Sequence, residues 1–274
     1  MRAKRRLTVS HIHIPDGVLP AWLVVAGWVG ALVLVWYASR RARAADVRRK
    51  VPLLGVVAAL VLVAMSTEIV PLAYHVNLTV VAGVLLGPWL GAIAAFIVVI
   101  VLALLGHGGV TVIGLNTIMI AAEMALGWAL FRPLVGMLGR SRIRWAAGIA
   151  TVLTLAVTTT MLVGLVALAG GGAATGRETG ALDPASLTFA NPFGGGVVSV
   201  NTLRGEAAPT PPAAPLSVAR FAAVVYVLGP IGWLLEALVT AAVLGYVARV
   251  RPQLVLSGAL SDPAHAPPGD EGVR

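Results

Sequence analysis

The sequence contains no cysteine and few charged residues. The absence of cysteine excludes a disulfide framework, a thiolate zinc site and a cysteine nucleophile. Charged residues make up 11% of the 274 residues, whereas a soluble domain carries about 25%. Hydrophobic residues make up 58%, and the mean hydropathy is +0.92. This composition excludes an ordinary water-soluble protein and indicates a membrane protein.

Several catalytic motifs are also missing. Lys4 and Lys50 are the only lysines, and no G-x-x-x-x-G-K-[ST] string is present, so the chain is not expected to bind or hydrolyse ATP. The sequence lacks G-x-S-x-G and H-E-x-x-H as well. The net charge of +9 comes from basic residues placed between apolar runs, which is typical of membrane topology rather than of nucleic-acid binding. We therefore predict a protein that is not an enzyme and does not bind nucleic acid.

Long apolar runs predict membrane-spanning helices, because about 20 apolar residues cross the hydrocarbon core. Six runs have nearly that length or more, and a shorter run lies between the second and the third. The six are Val18–Ala38, Pro52–Ala73, Trp89–Leu105, Val110–Phe131, Trp145–Ala169 and Phe221–Val247, and the short one is Val76–Gly87. By its length alone, the short run could be re-entrant or spanning.

Basic residues decide between these two topologies, since cytoplasmic loops carry the Lys/Arg excess. With Val76–Gly87 as a span, thirteen Lys/Arg fall inside and seven outside; without it, nine fall inside and eleven outside. We therefore predict an all-α, multi-pass protein of the cell membrane with seven transmembrane helices, the N-terminus outside and the C-terminus in the cytoplasm. Arg2, Lys4, Arg5 and Arg6 oppose this orientation.

The domain organisation follows from the same pattern. Residues 1–12 form an N-terminal extension without the apolar core of a signal peptide, and residues 13–250 form one membrane domain. Within it, the Gly-, Ala-, Pro- and Thr-rich stretch 170–220 is predicted to be a flexible outside loop without helical or strand periodicity. Residues 251–274 are predicted to be a disordered cytoplasmic tail.

Four of the five histidines are predicted to lie at one membrane face. His11 and His13 precede the first span, while His75 and His107 fall at the outer ends of later ones; His265 lies in the tail. Imidazole is a common ligand of borderline divalent ions such as nickel and cobalt. A histidine at a helix end is often only an interfacial residue, but the collection of four at one face favours an outward-facing metal pocket.

Three sequence strings carry a family resemblance, and they occur in the family's order over residues 13 to about 130. They are His13-Ile14-Pro15-Asp16-Gly17, then His75-Val76-Asn77-Leu78-Thr79 with Leu86-Gly87-Pro88, then Gly106-His107-Gly108-Gly109-Val110-Thr111 with Gly114-Leu115-Asn116. In these strings the sequence resembles the CbiM/NikM family, the substrate-binding components of energy-coupling-factor (ECF) transporters for cobalt and nickel.

The resemblance implies a set of metal ligands. In that family the free α-amine of the chain, the backbone amide of the following histidine and the side chain of that histidine bind the metal together with a second imidazole. Carried onto this sequence, the first imidazole is His13 and the second is His75. Supporting groups that orient the ligands would then be His107, Asn77, Asn116 and Asp16.

The sequence departs from this pattern before His13, where Ile12 stands instead of an initiator Met and twelve residues precede the histidine. Three interpretations remain open. Translation starts downstream, a protease trims the chain, or His11 replaces the amine as an additional metal ligand. We favour the first two, because they also remove the basic residues that oppose the predicted orientation.

The resulting hypothesis is a substrate-capture subunit of an ATP-driven importer of Co²⁺ or Ni²⁺. The resemblance implies that its partners are a transmembrane coupling protein, two ATP-binding subunits and often a small accessory membrane protein. The alternative is a secondary transporter that couples metal to protons through Glu68, Glu123 or Glu236, which lie within spans. We expect these three carboxylates to be scattered, and we therefore build no proton relay on them. An intramembrane metalloenzyme ranks last, since no general base lies beside the histidines.

Overall fold

A computed structural model describes residues 19–42, 44–67, 75–105, 109–172, 187–188, 199–200 and 218–256. The elements are α1 (Ala21–Arg41), α2 (Ala44–Ser66), α3 (Thr79–Leu104), α4 (Ile113–Leu138), α5 (Ile143–Gly172), β1 (Leu187–Thr188), β2 (Ser199–Val200), α6 (Val218–Val250) and α7 (Pro252–Leu256). A 3₁₀ turn at Arg140–Arg142 joins α4 to α5. His11, His13, Asp16, Glu68, His107 and His265 lie outside the described residues, as do the N-terminal extension and most of the tail.

The predicted all-α, multi-pass architecture is confirmed. Five helices are long and apolar enough to cross a membrane, namely α1, α3, α4, α5 and α6, and α2 contributes a shorter apolar stretch, Lys50–Ser66. The connection predicted at 170–220 differs in one detail, because β1 and β2 pair there as two antiparallel two-residue strands. Its boundaries also shift, since α5 continues to Gly172 and α6 begins at Val218.

The short apolar run of the sequence forms a helix of its own. Gly87 interrupts α3 with φ +79° and ψ 174°, a backbone conformation that glycine adopts without a Cβ penalty. Pro88 follows and disfavours a helical conformation for the residue before it. The break therefore divides α3 into a short arm, residues 79–86, and a long arm, residues 88–104.

Contacts between α1 and α4 agree with seven passes rather than six. A Cβ atom at Gly114 would lie 2.5 Å from the carbonyl carbon of Gly27, and one at Gly30 would lie 2.9 Å from Cδ1 of Ile118. A later residue of α1 thus contacts a later residue of α4, so the two helices run parallel. If α3 crossed the membrane once, the chain would have six passes and α1 and α4 would be antiparallel. With the break at Gly87, the short and long arms of α3 cross in opposite directions, which gives seven passes and makes α1 and α4 parallel.

The directions of the helices place several arginines at one end of the bundle. The ring centroids of Tyr37, near the end of α1, and Trp89, just after the break, lie 5.3 Å apart. α5 and α6 run antiparallel, since Gly148 faces Ala237 while Gly245 faces Arg144. The end where α1 and α4 finish therefore carries Arg40, Arg41, Arg140, Arg144 and Arg249. We call it the arginine-rich end; the positive-inside rule predicts that it is cytoplasmic.

Candidate metal-site segment

His75–Leu78 is a non-helical segment inside a helical bundle. His75 and Asn77 are each only 6% exposed, and Thr79, the first residue of α3, is fully buried. Leu78 has φ +54°, a left-handed conformation that costs a residue with a Cβ about 1–2 kcal/mol. A leucine held there requires surrounding contacts that fix the backbone.

Glu236 of α6 supplies one set of these contacts. Its Oε2 accepts a hydrogen bond from the backbone N–H of Asn77 at 3.1 Å, and its Oε1 accepts one from the backbone N–H of Leu78 at 2.9 Å. Irregular backbone at membrane depth needs such partners, because an unsatisfied N–H away from water is costly. A carboxylate also suits the positive N-terminal end of α3. Glu236 therefore fixes the two residues that lead into α3.

Glu123 of α4 holds the side chains of the same segment. Its Oε2 accepts hydrogen bonds from Nδ2 of Asn77 at 2.6 Å and from Oγ1 of Thr79 at 2.9 Å. Its Oε1 accepts one from Oγ1 of Thr158 in α5 at 3.2 Å. All three partners are neutral donors, so the carboxylate is satisfied by hydrogen bonds rather than by a positively charged side chain.

Packing on α4 fixes the short arm of α3 as well. A Cβ atom at Gly83 would collide with the backbone carbonyl oxygen of Met124, and one at Gly127 would come within 2.9 Å of Val80. These close approaches put the short arm directly on α4, beside Glu123. The segment and the arm that follows it are therefore held by both polar and steric contacts.

The convergence of Glu123 and Glu236 corrects the sequence-based interpretation that the carboxylates are scattered. Glu123 lies 15 residues before the end of α4, and Glu236 lies 14 residues before the end of α6. At about 1.5 Å per residue, both lie at nearly the same depth in the bundle. The equal distance of the two glutamates from the ends of their helices could be inferred from the sequence. Only the fold shows that both side chains face the residues after His75.

The proposed ligand and supporting residues are only partly within the described chain. His75 is the only histidine there, and the described residues contain no group of three or more His, Asp or Glu that could hold a metal. Asn77 donates hydrogen bonds to both carboxylates, from its backbone N–H to Glu236 and from Nδ2 to Glu123. Asn116 is buried in α4, seven residues before Glu123 and on the same helix face. The pairing of His13 with His75 as metal ligands stays a prediction. The same holds for the roles proposed for the other site residues, which are His11, His107, Asn77, Asn116 and Asp16.

Residues 13–254 match a family of proteins, CbiM, described as the cobalt uptake substrate-specific transmembrane region. The chain belongs to the CbiM family. This match confirms the resemblance inferred from the three strings and extends it well beyond them, across α5 and α6.

Relatives of this family member include three archaeal proteins. One from Haloquadratum walsbyi, named as a metal transport protein, is 39% identical over 126 residues, which cover 44% of this chain and 58% of the relative. A protein of Methanocaldococcus jannaschii, also named as a metal transport protein, is 36% identical over 110 residues, which cover 38% of this chain and 49% of the relative. A protein of Halobacterium salinarum, named as the cobalt transport protein CbiM, is 30% identical over 175 residues, which cover 60% of this chain and 77% of the relative. The chain thus matches only about half the length of the first two.

Two crystal structures share the fold of this CbiM family member. A truncated transition metal transporter superimposes with a TM-score of 0.62 at 15% identity, covering 87% of this chain and 99% of the other. A second transition metal transporter superimposes with a TM-score of 0.63 at 15% identity, covering 90% of this chain and 97% of the other. The helical arrangement is therefore shared with these two crystal structures.

Proposed function

We propose that this CbiM family member is the substrate-capture subunit of an ATP-driven importer, and that it takes Co²⁺ or Ni²⁺ from the outside face through nitrogens of His13 and His75. One observation supports this proposal above the others. In the segment that begins with His75, His75 and Asn77 are buried, the backbone is irregular, and hydrogen bonds join it to carboxylates from two other helices. Such outer contacts are typical of residues that hold a metal ligand in a fixed orientation.

In this proposal Glu123 and Glu236 are positioning residues rather than metal ligands. Their oxygens accept hydrogen bonds from Asn77, Leu78 and Thr79. The ion is then held by imidazole and amine nitrogens, which suit nickel and cobalt better than the oxygen cages preferred by calcium or magnesium. Nickel and cobalt are neighbours in the affinity series, so the geometry of the complete ligand set selects between them.

Metal titration tests the site. We expect purified protein to bind one Co²⁺ or Ni²⁺, and His75→Ala to weaken the affinity by about 100-fold or more, because a ligand is lost. His265→Ala, in the tail, is the matched control and should bind as the unchanged chain does. Affinity should also fall between about pH 7.5 and about pH 5, since imidazoles and amines bind metal only when deprotonated. Equal affinity at both pH values, or normal binding by His75→Ala, would contradict nitrogen ligation by this segment.

The N-terminal ligand is tested by truncation. Removal of residues 1–11 should preserve or improve metal binding if a free amine near His13 is a ligand. Loss of binding in that truncation would assign the additional ligand to His11 instead. Mass spectrometry of the mature N-terminus shows which of the two chains is made in the cell.

Reconstitution tests the energy source. We propose a transmembrane coupling protein and two ATP-binding subunits as partners, together with a small accessory membrane protein in some assemblies. Proteoliposomes should import metal only when these ATPases and ATP are present. Import by this chain alone, driven by a pH gradient, would instead establish the proton-coupled secondary transporter.

A further inference from the structure

A cavity of about 350 Å³ opens at the arginine-rich end, between the 3₁₀ turn, the start of α5 and the end of α6. It lies far from the His75 segment, since Glu236 is nine residues, or more than two helical turns, before Gly245 on α6. Its lining residues are Arg140, Ser141, Ile143, Arg144, Gly245, Ala248 and Arg249.

The lining is strongly basic and carries no acidic side chain. Arg140, Arg144 and Arg249 are all exposed and border the same space. Within the part of the chain whose side chains are described, the only carboxylates are Glu123 and Glu236, and both are buried at mid-bundle. Neither of these carboxylates borders the cavity, so its lining brings three guanidinium groups together with no acidic side chain among them.

Gly245 shapes this cavity by allowing Arg144 to cross α6. A Cβ atom at position 245 would lie 2.6 Å from Cγ and 2.7 Å from Nε of Arg144. The aliphatic stem of the arginine thus rests on the backbone of α6, which only a residue without a side chain permits. This contact fixes the stem of Arg144 at the border of the cavity, while the side chain stays exposed.

Aromatic neighbours place the cavity at the membrane surface. Trp145 is 71% exposed and follows Arg144, while Tyr246 is 66% exposed and follows Gly245. Exposed Trp and Tyr at the ends of transmembrane helices lie at the level of the lipid headgroups. Ile149, one turn beyond Trp145 on the same face, is also exposed and presents an apolar surface to acyl chains.

We propose that this cavity binds the phosphate of an anionic phospholipid headgroup. Guanidinium groups pair with phosphate oxygens through two parallel hydrogen bonds, and basic pockets between transmembrane helices are a recurrent headgroup site. Inorganic phosphate offers the same oxygens. The exposed apolar surface beside the cavity favours the lipid, whose acyl chains lie against α5.

Native mass spectrometry of the full chain, released from nanodiscs of mixed phosphatidylglycerol and phosphatidylcholine, tests this proposal. We expect retained phosphatidylglycerol, and about a tenfold loss of it in Arg144→Gln, which removes the charge but keeps much of the stem. Gly245→Val should reduce retention by displacing Arg144 while all arginines remain. Arg251→Gln is the control, because Arg251 lies at the same end but outside the lining, and it should retain lipid normally.

Three outcomes would overturn the proposal. Equal retention of the two lipids would remove the preference for anionic headgroups, and equal losses in Arg144→Gln and Arg251→Gln would reduce the effect to general surface charge. Retention of inorganic phosphate in place of phosphatidylglycerol, when both are supplied at equal concentration, would assign the cavity to a free anion rather than to a lipid. If Gly245→Val does not fold, the comparison of Arg144→Gln with Arg251→Gln still decides.

Discussion

The bundle interior and the arginine-rich end both contain ionisable side chains, but these side chains differ in their exposure and in their hydrogen-bond partners. In the interior, Glu123 and Glu236 are buried and accept hydrogen bonds from neutral donors. At the arginine-rich end, Arg140, Arg144 and Arg249 are exposed around an open cavity. A buried carboxylate deprived of its donors is costly, whereas an exposed arginine is hydrated by water. The two buried glutamates thus stabilise one backbone conformation, whereas the arginines of the arginine-rich end can bind groups from outside the protein.

The largest effect on stability is expected at Glu236. Glu236→Ala leaves the backbone N–H groups of Asn77 and Leu78 without their acceptor, and each buried unsatisfied donor costs about 1–3 kcal/mol. Leu78 would also lose the contact that holds its left-handed backbone. We expect a loss of about 2–6 kcal/mol in unfolding free energy together with weak metal binding. Denaturant titration and metal titration of the detergent-solubilised protein measure both quantities.

Substitution by glutamine separates the two carboxylates. In Glu236→Gln one of two backbone donors loses its acceptor, because a carboxamide has a single oxygen, so we expect a loss of about 1–3 kcal/mol. In Glu123→Gln that oxygen can still accept from Asn77 and Thr79, while the amide nitrogen faces Thr158. The hydroxyl of Thr158 already approaches the backbone oxygen of Thr154 at 3.1 Å and can therefore accept from the amide.

We accordingly expect Glu123→Gln to lower the unfolding free energy by about 1 kcal/mol or less and to leave the metal affinity nearly unchanged. The two glutamine variants are a matched pair, since both replace a carboxyl group by a carboxamide at similar depth. Equal losses of stability in the pair would show that charge, rather than the number of acceptors, controls the segment.

The smallest effect is expected at the arginine-rich end. In neutral detergent, Arg144→Gln should change the unfolding free energy by about 0.5 kcal/mol or less, because the side chain is exposed and forms no ion pair with the described carboxylates. A loss as large as that of Glu236→Gln would show that Arg144 is part of the folded core. The comparison between the two regions would then fail.

Much of the fold was predictable from the sequence. The apolar runs give the helices, and the Gly87-Pro88 pair marks the break that divides the short run from the next. The balance of basic residues favours seven passes, and the parallel packing of Gly27 and Gly30 against α4 agrees with it. These features depend on local composition and on charge, both of which a single sequence displays.

The surroundings of His75 were less predictable. Asn77 was expected to support the ligands because of its place in a family string, but its partners Glu123 and Glu236 lie 46 and 159 residues away. Hydrogen bonds at such separations depend on helix rotation and depth, which hydropathy does not specify. For the same reason the left-handed backbone of Leu78 was unforeseen, since no glycine or asparagine at that position indicated it.

The contact of Gly83 with the Met124 carbonyl has a consequence for transport. Backbone touching backbone leaves no room for the short arm to slide along α4, so the two must travel as one rigid unit. If the protein imports an ion bound at His75, as proposed, release on the inner side requires either that this unit tilts as a whole or that α6 moves away from it. In the second case Glu236 separates from the backbone N–H groups of Asn77 and Leu78.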